Sequence, residues 1–340
     1  MFAAELEQTI TALAAAEKGI LAADESTGTI EKRFKAADII CTEVTRRNYR
    51  EMLFSTTGLN QFVSGVILFE ETLKQQNESG ISLPQILMEQ NIIPGIKVDK
   101  GTIPLANFEG DKITQGLDGL AVRLAEYKEL GARFAKWRAV LTIGNGLPSV
   151  RAMEANADSL ARYAAICQTS GFVPIVEPEV LMDGNHTLET CATVTEAVLE
   201  TVFHALHRHK VILELMLLKP NMVVPGKDCP TQATPERIAA ATIACFRRTV
   251  PAAVPSINFL SGGQTDEDAT ANLNAMNTYA EKQPWQLSFS YGRALQATAL
   301  KTWRGKAENN SDAQQALYKR ARLNSAARQG KFTPEMEASP

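Results

Sequence analysis

Short apolar runs, most of them closing on a charged residue, recur along the whole chain. In order they are Gly19 to Asp24, Val63 to Glu70, Ile92 to Asp99, Ala132 to Arg138, Phe172 to Glu177, Val211 to Lys219, Ser256 to Leu260 and Gln286 to Tyr291. Apolar runs of this length with polar ends predict buried strands. Segments between them, such as Ser159 to Thr169 and Ala192 to His207, carry helical spacing and would return the chain for another parallel strand. Eight such units predict a (β/α)8 TIM barrel, a single α/β domain over residues 1–340. A doubly wound open sheet would alternate in the same way, so periodicity alone leaves that fold open. Pro174 and Pro178 resist the fifth strand, because proline removes a donor from a central strand. Pro178 fits a strand exit and Pro174 does not. Residues 329–340, polar and containing Pro334 and Pro340, predict a mobile tail.

Composition narrows the function classes. With 340 residues, 45% of them hydrophobic and 21% charged, the chain can bury a large core. A net charge of -3 supplies no global basic field, so no nucleic-acid partner is expected and any anion site must be local. The five cysteines form no C-x-x-C pair, which argues against a disulfide framework and a thiolate zinc site. Met1 to Ile10 lacks a basic region followed by an apolar run, so no secretory signal is expected. No stretch approaches the ~18 apolar residues of a membrane span. A cytoplasmic protein with no membrane association is the expectation.

In a barrel, functional side chains project from the C-terminal ends of the strands. Asp24, Lys97, Lys136, Arg138, Glu177, Lys219 and Arg293 take those places. Lys219 ends an apolar run, where desolvation and the nearby cations Lys136 and Arg138 would favour the neutral amine that attacks a carbonyl. A lone strand-end lysine could equally snorkel at the surface. Glu177 and Glu179 share a strand face, so each would oppose ionisation of the other and one could carry a proton near neutral pH. They could also be two solvated loop acids. Asp24 could pair with Lys136, with Ser26 and Thr29 following as hydroxyl donors, although a strand-to-helix turn would use the same residues.

Two glycine-bearing loops follow the last two runs: Ser261-Gly262-Gly263 and Ser290-Tyr291-Gly292-Arg293. Free N–H groups and a guanidinium there suit a phosphate, and either loop alone could be a tight turn. A second cationic set, Lys32, Arg33 and Lys97, is expected across the mouth, which suggests a substrate with phosphate at both ends. An exposed helix face would also account for Lys32 and Arg33. His204, His207 and His209 read as solvated helix positions, and with His186 they form no metal-ligand spacing with acids.

These residues resemble a known family. GILAADESTG from Gly19, GIKVDKG from Gly95, FAKWR from Phe134, VPIVEPE from Val173, LLKPNM from Leu217, FLSGGQ from Phe259 and FSYGRAL from Phe289 are together similar to class I fructose-bisphosphate aldolase. The resemblance runs in order to about Thr333. It implies a barrel, a homotetramer, and reversible cleavage of fructose 1,6-bisphosphate to two triose phosphates without metal or other cofactor. It implies Lys219 as the Schiff-base lysine, Glu177 as acid and base, and Asp24, Lys136 and Glu179 as supporting groups. Ser261, Gly262, Gly263, Ser290, Gly292 and Arg293 would hold the C1 phosphate; Ser26, Thr29, Arg33 and Lys97 would serve the C6 end, with Arg138 at the substrate.

Two departures stand out. Many members carry Glu-Gly-Thr before the lysine strand, whereas here Glu214 precedes Leu215 and Met216, which is expected to repack the interior around Glu214. Animal members end in a tyrosine, and here the last tyrosine is Tyr318. Rival readings are another Schiff-base barrel enzyme, such as a transaldolase, and a silent sugar-phosphate sensor. Two phosphate clusters and the acid–base set together weigh against them.

Overall fold

The computed structural model describes residues 2–338. Ten strands form: β1 (Gly19–Ala23), β2 (Val63–Leu68), β3 (Ile93–Lys97), β4 (Thr102–Pro104), β5 (Lys112–Thr114), β6 (Phe134–Leu141), β7 (Val173–Val180), β8 (Leu217–Leu218), β9 (Ser256–Phe259) and β10 (Gln286–Tyr291). Eight of them close a parallel barrel in the order β1-β10-β9-β8-β7-β6-β3-β2, so the open doubly wound sheet is excluded. The pair β4 and β5 is a small antiparallel hairpin between the third and fourth barrel strands.

Alternation along each strand separates two apolar layers. Outward residues such as Val66, Trp137, Val176, Leu218, Ile257 and Phe259 pack under the helices. Inward residues Ile20, Ala22, Ile67, Phe134, Val173, Ile175 and Leu217 fill the lower barrel. The helix Ala3–Leu13 closes that end, burying Leu6, Ile10 and Leu13 against them. Phe134 fits because the strand beside it carries glycine. A Cβ on Gly95 would lie 2.3 Å from the Phe134 ring, closer than any tolerable contact.

The sixth strand is shorter than expected. In place of Val211 to Lys219, only Leu217–Leu218 pair, and Leu213–Leu215 form a 3-10 turn. The Gln168 amide accepts from the Ile212 N–H and donates to the Ile212 and Leu215 carbonyls, holding that turn. This explains the two prolines of β7. The Val173 N–H bonds to the carbonyl of Arg133, the residue before β6, at 3.2 Å and the Leu181 N–H to the Leu141 carbonyl at 2.9 Å, so by alternation the nitrogens of Pro174 and Pro178 face β8. There the partner strand is two residues long and asks for no donor. Val180 N–H, on the same edge, bonds instead to the Asn221 side chain at 3.0 Å.

Glu214 is exposed and Leu215 buried. Leu215 joins the lower cluster with Leu217 and Ile175, so the apolar departure repacks the barrel around Leu215, not around Glu214. At the C-terminus, residues 329–338 of the expected tail lie against the body. The Phe332 N–H bonds to Asn274 at 3.0 Å, and the Glu337 carboxylate accepts two bonds from buried Arg320 at 2.6 and 2.7 Å. Residues 339 and 340 of that expectation lie outside the described residues.

Candidate active site at the barrel mouth

The inward face of β6 runs Phe134, Lys136, Arg138, and that of β7 runs Val173, Ile175, Glu177, Glu179. Both strands are longer than their apolar runs, so Arg138, Glu177 and Glu179 stand on rigid strand and not in loops. In register, Lys136 lies beside Ile175 and Arg138 beside Glu177. The ion pairs are diagonal, each cation meeting the acid two residues beyond its register partner: Lys136 with Glu177 and Arg138 with Glu179.

Lys136 Nζ lies 2.7 Å from Asp24 Oδ2 and 3.3 Å from Glu177 Oε2, while Lys219 Nζ lies 3.5 Å from Glu177 Oε1. Lys136, Glu177 and Lys219 are each 4% exposed. The lysine is therefore buried among ions and does not snorkel. Burial opposes ionisation of Asp24, but the charges of Lys136 and Lys219 outweigh it and hold the carboxyl well below its usual range. Burial likewise opposes the Lys136 ammonium, and Asp24, Glu177 and Asp99 outweigh it, keeping Lys136 cationic. Lys219 thus sits near a fixed positive charge.

Glu177 and Glu179 are partnered separately. Glu179 pairs with the Arg138 guanidinium, whereas Glu177 faces two lysines. The expected mutual opposition of the two acids is replaced by opposite charge beside each one. They remain distinct in role because Glu177 alone reaches Lys219.

These groups line one cavity of about 700 Å³. Asp24, Ser26, Thr29, Arg33, Lys97, Ser261, Gly262, Ser290, Gly292 and Arg293 also line it. The Ser290 hydroxyl is buried with no hydrogen-bond partner, and so is free to meet a ligand. A Cβ on Gly262 would lie 2.6 Å from Leu260 Cδ1 and 2.9 Å from Glu179 Oε1, so a side chain there would push on the tip of the acid. Gly263 does not line the cavity; with φ of +82° it makes the turn that the Gln264 N–H closes onto the Ser261 carbonyl at 2.9 Å.

The second cationic set divides. Arg33 does not lie across the mouth with Lys97, because β1 neighbours β10 in the closed barrel. Its Nη2 comes within 4.0 Å of the place a Cβ on Gly292 would take. Lys32 lies outside the cavity, in a separate groove with Lys301 and Arg304. Lys97 stands apart on β3, bonded to Asp99 Oδ1 at 2.6 Å.

Sequence reading missed Glu25 and Asp99. Both line the cavity and each is a carboxylate that holds a cation facing it. The two-residue spacing of Lys97 and Asp99 was a usable signal; the pairing of Glu25 with Arg33 and Arg50 depends on helix packing. No group of three His, Cys, Asp or Glu among the described residues could hold a metal ion. His204 and His207 are exposed as expected, His209 bonds to Asp158 at 2.9 Å, and His186 is buried.

A carboxyl group within 3.5 Å of an amine on one side and of a second ammonium on the other can perform carbonyl addition with proton transfer. Relatives agree with that chemistry. The family described as "Glycolytic: Fructose-bisphosphate aldolase class-I" matches residues 5–340. The chain is 57% identical to fructose-bisphosphate aldolase 4, cytosolic, of Arabidopsis thaliana, over 93% of this chain and 80% of that protein. It is 55% identical to the fructose-bisphosphate aldolase of Dictyostelium discoideum, over 98% and 94%. The fructose-bisphosphate aldolase of Plasmodium falciparum, solved in complex with TRAP and a small-molecule inhibitor, superposes with a TM-score of 0.96 at 52% identity, covering 98% of this chain and 96% of that one. The chain belongs to the class-I fructose-bisphosphate aldolase family.

Proposed function

We propose that this chain cleaves fructose 1,6-bisphosphate reversibly to dihydroxyacetone phosphate and glyceraldehyde 3-phosphate through a Schiff base on Lys219. The observation that carries the reading is the buried Lys219 amine 3.5 Å from a Glu177 carboxylate that also faces Lys136. Lys219 Nζ passes a proton to the Glu177 carboxylate and, as the neutral amine, attacks the C2 carbonyl to give a carbinolamine. Glu177 gives a proton to its hydroxyl, which leaves as water, and an iminium remains. Glu177, now a carboxylate, takes the proton of the C4 hydroxyl as the C3–C4 bond breaks, and its electron pair flows into the iminium to form an enamine. The aldehyde departs. Protonation of the enamine at C3 and addition of water release the ketone and regenerate the amine. Each step moves one proton at one place, which suits a single acid–base group.

Asp24 and Lys136 hold fixed charge beside these transfers, and Glu179 holds Arg138 at the cavity wall. Ser261, Gly262, Ser290, Gly292 and Arg293 receive the C1 phosphate, with Gly263 shaping their loop. Ser26, Thr29 and Lys97 serve the C6 end, and Arg33, beside Gly292, reaches toward both. We read the chain as one domain acting as a homotetramer in the cytoplasm; a family match spanning 5–340 and a relative named cytosolic support this.

The test is incubation with dihydroxyacetone phosphate, reduction by borohydride with a chelator present, and peptide mass mapping. An adduct on Lys219 is the expected result. No adduct on any lysine, or activity lost to the chelator, would sink the proposal.

A further inference from the structure

Glu25 follows Asp24 in sequence and serves a different set of charges. Its Oε2 accepts from Arg50 Nη1 at 2.6 Å, and its Oε1 accepts from Arg33 Nη1 and from Gln296 Nε2, the latter at 2.9 Å. Gln296 Nε2 also donates to the Ala22 carbonyl at 2.7 Å, while its Oε1 accepts from the Tyr49 hydroxyl at 3.0 Å. Tyr49, Arg50, Gln296 and Glu25 are all buried, and of the two members that line the cavity, Glu25 and Arg33, Arg33 is the more open. Burial opposes ionisation of Glu25, but Arg50 and Arg33 outweigh it and hold its carboxyl below the usual range.

The geometry of this network joins the two sources of phosphate-binding charge. Arg33 stands on the helix Thr27–Ala36, and Arg293 opens the helix Arg293–Trp303. Gln296 is one turn beyond Arg293 on the same helix, so the Glu25 carboxylate holds one helix by its guanidinium and the other by its amide. One carboxylate between two guanidinium groups leaves a net charge of +1, and Arg33 is placed to present it to the cavity. Resting on the reading that the cavity takes a sugar bisphosphate, we infer that Glu25 is a positioning residue that fixes Arg33 relative to Arg293, so that substrate phosphate meets both.

The inference is tested by KM and kcat for fructose 1,6-bisphosphate in Glu25→Gln, Arg33→Met and the double variant. Losing one aimed guanidinium–phosphate contact is expected to raise KM about tenfold with kcat within about twofold. Because Glu25 acts through Arg33, the double variant is expected to match Arg33→Met. Glu25→Gln leaves Arg50 buried without a carboxylate, so Glu25→Gln/Arg50→Met is made beside it and must show the same rise in KM. Unchanged KM in either folded variant overturns the inference, as does a double variant clearly worse than Arg33→Met or a loss confined to kcat. If neither variant folds, Glu25 supports the fold and the positioning role is overturned. Borohydride trapping of dihydroxyacetone phosphate on wild-type Lys219 keeps the two readings apart. With that adduct present, an unchanged KM refutes the role of Glu25 alone.

Discussion

On β6 and β7 the same inward face changes character within a few residues. At the lower end Phe134, Val173 and Ile175 pack with Leu215, Leu217 and the closing helix, forming an apolar plug. One or two positions further along, Lys136, Glu177 and Glu179 are buried ions and Arg138 is half-buried, each facing an opposite charge. Burying the lower residues stabilises the fold directly, at about 25 cal/mol per Å² of apolar surface. The upper residues give up hydration and recover it only through their partners. Stability is therefore carried by the bottom of the barrel and chemistry by the mouth, on strands common to both.

The largest expected effect tests the mouth. Lys219→Met should lower the cleavage rate by about a million-fold, as loss of a covalent nucleophile does, and abolish the borohydride adduct. Its urea unfolding free energy should move by no more than about 1 kcal/mol, because Glu177 keeps Lys136 as a partner. The complementary change is at the bottom. Phe134→Ala should cost about 3–5 kcal/mol in urea unfolding, since the ring fills the barrel beside Gly95 and nothing is placed to replace it. The cleavage rate of the folded fraction should stay within about threefold. A stable Phe134→Ala protein with a collapsed rate would break the comparison.

Legibility in the sequence divides along the same line. The eight barrel strands were visible because apolar runs persist where both faces are buried, and the chemistry was visible because charged residues interrupt them at the mouth. The ends of the strands were less visible. β6 runs on past Arg138 to Leu141 and β7 past Glu177 to Val180, yet charged residues look like strand ends when the polar interior of a barrel is unseen. The reverse error made Val211 to Met216 look like strand, although Gln168 holds it as a turn. Arg33 was assigned across the mouth because the closing contact between the first and last barrel strands is invisible to local pattern. Glu25 was missed for the same reason, since its partners Arg50 and Gln296 come from distant helices.

A smaller effect separates the two ends by pH. The Asp24 carboxyl is held low by Lys136 and Lys219 against its burial. Because its folded value lies below its unfolded one of about 4, its contribution is complete above that pH and is lost as pH falls through the folded value. Lys136, held high, keeps its own contribution until pH rises past the unfolded lysine value of about 10. Asp24→Asn should therefore be less stable than wild type by about 2 kcal/mol from pH 5 to 9, a gap that narrows below about pH 4. Urea titrations across that range measure it. A gap that widens in acid would reverse the sign and place the strain, not the stabilisation, in the charged form.

The smallest effect sharpens the boundary of the lower plug. Glu214 and Leu215 are adjacent, and the sequence departure at this place suggests an interior rebuilt around the acid. The turn at Leu213–Leu215 instead turns Glu214 to solvent and Leu215 into the cluster with Leu217 and Ile175. Glu214→Ala should then change unfolding free energy by less than about 0.5 kcal/mol and leave cleavage unaltered, while Leu215→Ala should cost about 2–4 kcal/mol. The two variants differ by one position, so the contrast reads the direction of a single turn. Equal losses at both would mean that the acid shares the interior and that the apolar plug ends below β8. Loss at Leu215 alone would carry the plug up to the residue pair that precedes Lys219, leaving that lysine seated directly on apolar packing.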